Sequence, residues 1–111
     1  MSFHRFDDLP KEVVTPKHSM AFGELLTGEK IELGRLHFNT GEGANPHQHP
    51  QEQIMFIVKG ALEVTLDGET AVLRPGEAFH ATPMVLHNVT AKEDTDVLSF
   101  KSLVDGAGHR I

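Results

Sequence analysis

The segment from residue 62 to residue 73 restricts the fold of this chain more than any other stretch. Its first half alternates apolar and polar side chains, and Asp67-Gly68, a preferred pair for a tight hairpin turn, follows directly. The apolar members are Leu62, Val64 and Leu66, and the polar members between them are Glu63 and Thr65. Because side chains on a strand point alternately to opposite faces, this pattern predicts a strand with one buried face. We therefore expect an antiparallel hairpin here.

Similar short strands recur along the rest of the chain. Residues 30–38, 53–59, 87–91 and 96–102 carry closely spaced apolar side chains and are separated by turn residues such as Gly and Pro. Nowhere do apolar residues recur at helical spacing over three turns. Many short strands joined by turns are typical of antiparallel sandwiches and barrels. The sequence thus predicts an all-β protein with almost no helix.

Composition restricts the class of protein. The chain has 111 residues, about one domain, and its hydrophobic content of 39% is that of a globular protein. A formal net charge of −6, with Lys and Arg scattered singly, argues against a nucleic-acid surface. No apolar run is long enough for a transmembrane helix. The chain has no cysteine and no secretory signal at its start, so we expect a cytoplasmic protein without a membrane partner.

The domain organisation predicted from the sequence is simple. Residues 1–17 contain Pro10, Pro16 and mixed charges, which is typical of an N-terminal arm that is either loose or laid across a neighbouring subunit. Residues 18–111 carry the strand pattern and are expected to form a single β-barrel domain. Because open sheets leave edges that a second subunit can cover, we also expect a homodimer.

The stretch between Gly41 and Gly60 contains the candidate site. His47 and His49 lie two residues apart in a polar loop, so on an extended backbone their side chains point the same way. Gln53 is four residues beyond His49 and shares that face if the extended geometry continues. His87 stands ahead of another predicted strand, far away in the sequence. These four side chains are the predicted ligands of a divalent metal inside the barrel.

These residues resemble the conserved motifs of the cupins. The first cupin motif is matched in register at Gly41, His47, His49, Gln53 and Gly60, with Gln53 where a Glu is usual. The second motif is matched at Gly76 and His87 but not at Thr82, Met84 or Ala91. The resemblance covers residues 34–100. It implies a small single-domain cupin with an antiparallel jelly-roll barrel.

The ligand types suggest what the site binds. Imidazole nitrogen suits Zn, Fe, Mn, Ni, Co and Cu, whereas Gln53 would contribute an uncharged amide oxygen. A metal held only by neutral ligands keeps its full charge of about +2, so it should attract an anionic ligand such as a carboxylate or enolate. A metal with open positions can also act as a Lewis acid on such a ligand.

Five further residues are candidates for the ligand pocket. Met55 and Ile57 follow Gln53 on its face and are expected to line the pocket floor. His37 and Arg35 are expected to reach the interior from a neighbouring strand, and Met84 is expected to narrow an apolar entrance. The remaining histidines have no partner at ligand spacing and are expected to be exposed or simply hydrogen-bonded: His4, His18, His80 and His109.

The HQHPQEQ segment is similar to that of small cupins involved in pectin degradation, which promote ring opening of unsaturated uronates. Those proteins place an aspartate and an aromatic residue on the final strand, where this chain has Ser99 and Lys101. Three functions therefore remain open. The chain is a metal-dependent isomerase, lyase or oxygenase acting on a small anionic or carbonyl-containing molecule, a non-catalytic metal- or ligand-binding module, or a purely structural oligomer.

Overall fold

The computed structural model describes residues 2–111, which form ten β-strands and one short 3₁₀ helix, Phe6–Asp8. The strands are β1 (Glu12–Val13), β2 (Phe22–Thr27), β3 (Ile31–Phe38), β4 (Gly43–His47), β5 (Gln53–Lys59), β6 (Leu62–Leu66), β7 (Glu69–Leu73), β8 (Ala78–Ala81), β9 (His87–Ala91) and β10 (Thr95–Ser102). No helix in this part of the chain has the length and apolar character needed to cross a bilayer.

The strands form two antiparallel sheets. The six-stranded sheet has the order β1-β2-β3-β10-β5-β8, and the four-stranded sheet has the order β4-β9-β6-β7. Strands β6 and β7 are the predicted hairpin, closed by Asp67 and Gly68 at φ angles of 51° and 82°. Both turn residues have positive φ, as a tight turn of type I′ requires. The prediction of an all-β jelly-roll barrel is confirmed.

The inward faces of the two sheets enclose a core with an apolar and a polar part. Alternate residues of β3, β5 and β10 point inward, as period-two alternation requires. The apolar part includes Phe38, Ile57, Leu62, Val64 and Val97. The polar part consists of buried side chains that include Glu32, Gln53, Ser99, Lys101 and His109. This polar part is where the candidate site lies.

Both ends of the chain pack onto the barrel. Met1, the first residue of the predicted arm, lies outside the described residues. The rest of residues 1–17 does not extend away from its own chain: β1 pairs with β2, and Val14 and Thr15 are buried. The Thr15 hydroxyl donates to the carbonyl oxygen of His109 at 2.6 Å, so this segment also holds the C-terminal tail in place.

Gly60, in the turn between β5 and β6, lies close to the backbone at the start of β10. Its φ is +99°, and a Cβ there would overlap the carbonyl oxygen of Asp94 and lie 2.8 Å from the Cα of Thr95. Gly68 has a similar φ of +82° with no atom within 4 Å of its would-be Cβ, which makes it a matched control. We expect Gly68→Ala to cost about 1–2 kcal/mol of unfolding free energy.

Gly60→Ala should cost a further 1–3 kcal/mol or so, because it adds a backbone collision to the same strain. Chemical denaturation of both variants measures the difference. Equal losses of stability in the two variants would contradict the close approach described for Gly60.

Candidate metal centre

Two paired strands and a loop bring three histidines together. His47 ends β4 and His87 begins β9, and these two residues are direct partners in the ladder between the strands. His49 lies in the loop that follows β4, where Pro50 restricts its backbone to extended conformations. One nitrogen of each ring lies within 4.8 Å of one nitrogen of each of the others. His49 and His87 are buried, and His47 is half-buried.

Each of the three rings is oriented by a nearby backbone carbonyl. The Nδ1 atoms of His47, His49 and His87 lie 2.6, 2.9 and 2.9 Å from the carbonyl oxygens of Asn45, Gln51 and Val85. Because a carbonyl oxygen only accepts hydrogen bonds, each Nδ1 must carry the proton of its neutral ring. All three Nε2 atoms are then unprotonated, which is the form that binds a metal ion.

Gln53 presents its amide oxygen to the same centre. Its Nε2 donates to the Ser99 hydroxyl at 3.0 Å, and its Oε1 lies 3.2 Å from the Nε2 of His49. An unprotonated imidazole nitrogen and an amide oxygen are both acceptors, so their close approach lacks a proton to share. A cation bound by both atoms would make this approach favourable. The donor set therefore fits a divalent transition metal.

Burial keeps the three imidazoles neutral. It lowers the pKa of His47 and of His87, and it lowers the pKa of His49 to about 4. The nearby positive charge of Lys101 acts on these pKa values in the same direction. At neutral pH the rings therefore need not lose a proton before they bind a metal, so protons compete weakly for the site.

A cavity of about 30 Å³ adjoins the histidines inside the barrel. Its polar lining includes His47, Gln53, His87, Ser99, Lys101 and His109. Lys101 is buried and forms no ion pair with any of residues 2–111, and burial lowers the pKa of its ammonium group to about 8. The cavity is therefore small and polar on one side, and it carries a buried cation.

Sequence reasoning missed the role of His109. His109 is buried, with its Nε2 2.8 Å from the Ser99 hydroxyl and its Nδ1 2.6 Å from Glu32 Oε1. Ligand spacing offers no signal for this arrangement, because the three residues come from β3, β10 and the C-terminal tail. A partial signal exists at Glu32, which shares the strand face of Leu36 and Phe38. Of the other three histidines without a predicted partner, His80 contacts Glu52 and His4 is exposed. His18 instead stacks on His47 of the cluster, with ring centroids 5.2 Å apart.

The structure places the five candidate pocket residues in different environments. Met55 lines the cavity, whereas Ile57 is buried in the hydrophobic core. Met84 lies in an exposed loop, where its N–H donates to the carbonyl oxygen of His49 at 2.8 Å.

The predicted interior placement of Arg35 and His37 is wrong. Both line a groove of about 530 Å³ on the outer face of the six-stranded sheet. Arg35 pairs there with Glu24 and Asp7, and His37 bonds Asp96. The reason is that β3 turns its other face, with Glu32, Gly34, Leu36 and Phe38, toward the core.

Residues 34–101 match the family model described as Cupin domain. The chain is a cupin. This cupin is 34% identical over 64 residues to the pectin degradation protein KdgF of Dickeya dadantii (strain 3937). That match covers 57% of this chain and 58% of the relative, so the cupin spans little more than half the length of the curated relative it matches.

Solved structures show the same fold over nearly the whole cupin. KdgF from a Halomonas species is 30% identical, with a TM-score of 0.80 over 92% of this chain and 93% of that one. An RmlC-like cupin from Shewanella frigidimarina has a TM-score of 0.83 over 94% and 92% of the two chains, at 20% identity. The polyketide cyclase RemF from Streptomyces resistomycificus has a TM-score of 0.77 over 92% and 79%, at 19% identity.

Proposed function

We propose that this cupin is a metal-dependent enzyme that isomerises or opens a small anionic, sugar-derived acid. The metal, one of Zn, Fe, Mn, Ni, Co or Cu, is held by His47, His49, Gln53 and His87. The observation that carries the proposal is the convergence of three unprotonated imidazole nitrogens, with an amide oxygen 3.2 Å from one of them. When bound, the metal supplies Lewis-acid polarisation of an oxygen on the ligand.

The charge of the site favours an anionic ligand. None of the four proposed metal ligands carries a negative charge, so nothing in the set neutralises the ion. Lys101 lines the same cavity without an ion-pair partner among residues 2–111. A carboxylate on the ligand would supply a counter-charge to the metal, and it would add to the attraction that the nearby Glu32 carboxylate already exerts on Lys101. Lys101 thereby orients the ligand through its carboxylate.

Similarity to the two KdgF proteins supports a uronate as the substrate class, because one of them is named a pectin degradation protein. A cavity of about 30 Å³ admits only the reacting end of a sugar acid. We propose that the rest of the ligand lies at the entrance, bordered by Met55 from the inside and by the loop that carries Met84.

The small cavity also favours one alternative function. Binding pockets for whole small molecules usually measure about 300–1,000 Å³, far more than this interior offers. A module that holds a metal and a small anion without turnover, such as a sensor, needs no larger space. Turnover distinguishes this binding module from the enzyme.

Metal titration tests the proposed ligand set. We expect His47→Ala, His49→Ala or His87→Ala to weaken metal binding by more than about 100-fold, above the 10–100-fold typical of residues that only support a ligand. Gln53→Ala should be milder, because water can replace a neutral oxygen. His80→Ala is the control: this exposed ring bonds Glu52 at 2.6 Å and should leave the affinity unchanged.

Gln53→Glu is a more specific test of the ligand set. This change should tighten metal binding and weaken the binding of anionic ligands to the metal-loaded protein. General destabilisation would instead move both affinities in the same direction. Full metal content in His87→Ala would contradict the four-ligand set.

A turnover assay tests the reaction itself. We expect the metal-loaded protein to consume a 4,5-unsaturated galacturonate. The reaction is monitored as a decrease in the ultraviolet absorbance of the conjugated double bond of this substrate. Removal of the metal by a chelator should abolish this activity, and adding the metal back should restore it. Binding of the uronate without turnover would instead support the binding module.

The outer face of the six-stranded sheet supports a homodimer. Ile54, Phe56 and Val58 of β5 and Phe100 of β10 are exposed on it, and Phe100 pairs directly with Ile54. A continuous apolar face of this kind usually marks an interface. We propose that a second copy of the chain covers it.

Light scattering at micromolar concentration should therefore give the mass of a dimer, and Phe56→Glu should give a folded monomer. Val72→Glu introduces the same charge at an exposed apolar position of the four-stranded sheet and should leave the dimer intact. A monomeric wild-type protein would contradict the proposal.

A further inference from the structure

The interior of the barrel contains a second constellation of buried polar groups beside the histidine cluster. Ser99 on β10, His109 on the C-terminal tail and Glu32 on β3 are 0%, 2% and 3% exposed. The Ser99 hydroxyl lies 2.8 Å from His109 Nε2, and His109 Nδ1 lies 2.6 Å from Glu32 Oε1. A hydroxyl, an imidazole and a carboxylate thus stand in line, which is the arrangement that moves a proton to and from a serine oxygen.

With the Gln53 amide donating to Ser99 and a neutral His109 ring, whose pKa is lowered by burial, the donors of this line have one consistent direction. Gln53 Nε2 donates to the Ser99 hydroxyl at 3.0 Å, and the Ser99 hydroxyl in turn donates to His109 Nε2. His109 Nδ1 must then carry the ring proton and donate it to Glu32. Glu32 also accepts bonds from the His109 backbone N–H at 2.7 Å and from the Thr27 hydroxyl at 2.6 Å, as an ionised carboxylate does.

The backbone holds this line rigidly. Gly108 lies so close to Glu32 that a Cβ on it would stand 2.5 Å from Glu32 Oε1 and 3.1 Å from Leu103 Cδ2. The carbonyl oxygen of His109 accepts the Thr15 hydroxyl at 2.6 Å. The tail is therefore fixed on both sides of the His109 ring, and the ring has little freedom to turn away from Ser99.

We propose that Ser99, His109 and Glu32 form the acid–base relay of this cupin, with Ser99 exchanging a proton with the ligand held at the metal site. This inference rests on the proposed function. Ser99 is the group that meets the ligand, because it lines the cavity next to Gln53 and His87. His109 acts through Ser99, and Glu32 orients His109. The relay occupies the final strand and the tail; where similar cupins are expected to carry an aspartate and an aromatic residue on that strand, this chain has Ser99 and Lys101.

Over one reaction cycle the relay neither gains nor loses a proton. A proton leaves the ligand for Ser99 Oγ while the Ser99 hydroxyl proton passes to His109 Nε2, and the Glu32 carboxylate compensates the charge of the imidazolium. The reverse transfer returns a proton to a different atom of the ligand. In a ring opening, the anomeric hydroxyl of the ligand loses this proton and its oxygen forms a carbonyl with the anomeric carbon, while the bond from that carbon to the ring oxygen breaks. The returned proton goes to the enolate released by that cleavage, so no net proton, electron or co-reactant is consumed.

The alternative role for these residues is a purely structural anchor for the tail. An anchor needs the bonds between His109 and Glu32, but it does not need the Ser99 hydroxyl to border the cavity. The positive groups near His109 are Lys101 and Arg110, and Glu32 is the carboxylate that faces it. Both roles predict a loss of stability on removal of the ring, so stability alone does not separate them.

Kinetics on the unsaturated galacturonate separate the two roles. In His109→Gln the side-chain oxygen can still accept from Ser99 but cannot take up a proton. We expect kcat to fall about 10²–10⁴-fold, the usual range for loss of acid–base catalysis, while KM and metal content stay within about threefold of the wild type. His80→Gln, the same change at an exposed ring, should leave kcat unaltered. An unchanged kcat in a folded, metal-loaded His109→Gln protein overturns the relay.

Nitrogen NMR of the wild-type imidazoles tests the relay without turnover. In the metal-free protein at neutral pH, His109 should show a protonated Nδ1 with a strongly deshielded proton and an unprotonated Nε2. Adding D-galacturonate to the zinc-loaded protein should shift the His109 Nε2 resonance as the Ser99 hydroxyl turns to the ligand. A proton on His109 Nε2 in the metal-free protein overturns the relay. An Nε2 resonance that does not shift when D-galacturonate is added to the zinc-loaded protein also overturns it.

The two experiments also separate the relay from the proposed function. Absence of uronate turnover in the wild type would count against the enzyme, and the NMR result alone would then decide the relay. Wild-type turnover together with an unaltered His109→Gln protein would support the enzyme and overturn the relay.

Discussion

The structure depends on which partners the polar side chains in its interior find for their hydrogen bonds and charges. A polar group taken out of water costs several kcal/mol or so unless it finds a partner, and a buried charge costs more. The polar half of this core contains Glu32, Gln53, Ser99, Lys101 and the histidines. Hydrogen bonds within the protein satisfy Glu32, Ser99 and His109. The proposed metal would supply a partner to the three Nε2 atoms, and the proposed anionic ligand would supply one to Lys101.

The fold explains why these groups meet. β10 lies between β3 and β5 in the six-stranded sheet, so its inward residues Ser99 and Lys101 stand between Glu32 and Gln53. The ladder between β4 and β9 sets His47 opposite His87. Neither sheet alone assembles the site, and function therefore depends on the correct packing of one sheet on the other. The C-terminal tail then closes the polar end by inserting His109.

Much of the fold could be predicted because its signals are local. Alternation in β6 and the Asp67-Gly68 turn define a hairpin without any knowledge of the partner sheet. The proposed ligands His47, His49 and Gln53 come from a single short segment, but the extended geometry assumed from their spacing does not continue: His47 ends β4 in the four-stranded sheet and Gln53 begins β5 in the six-stranded sheet. His87 lies far from them in the sequence; its place ahead of another predicted strand and its match to the second cupin motif are what link it to the others.

The rest could not be predicted because it depends on contacts between distant segments. The inward face of β3 was ambiguous: Ile31, Leu33, Arg35 and His37 form one face, and Glu32, Gly34, Leu36 and Phe38 form the other. The pairing of Arg35 with Glu24 and Asp7 decides between them, and a sequence does not display it. The position of His109 depends in the same way on Glu32, 77 residues earlier in the chain.

X-ray absorption spectroscopy of the zinc-loaded protein tests the central claim most directly, because it counts the ligands around the ion. The account predicts three imidazole nitrogens at about 2.0–2.1 Å and at least one oxygen at a similar distance, with one imidazole lost in His87→Ala. Two or fewer imidazoles in the wild-type spectrum, or an unchanged spectrum in His87→Ala, would contradict it.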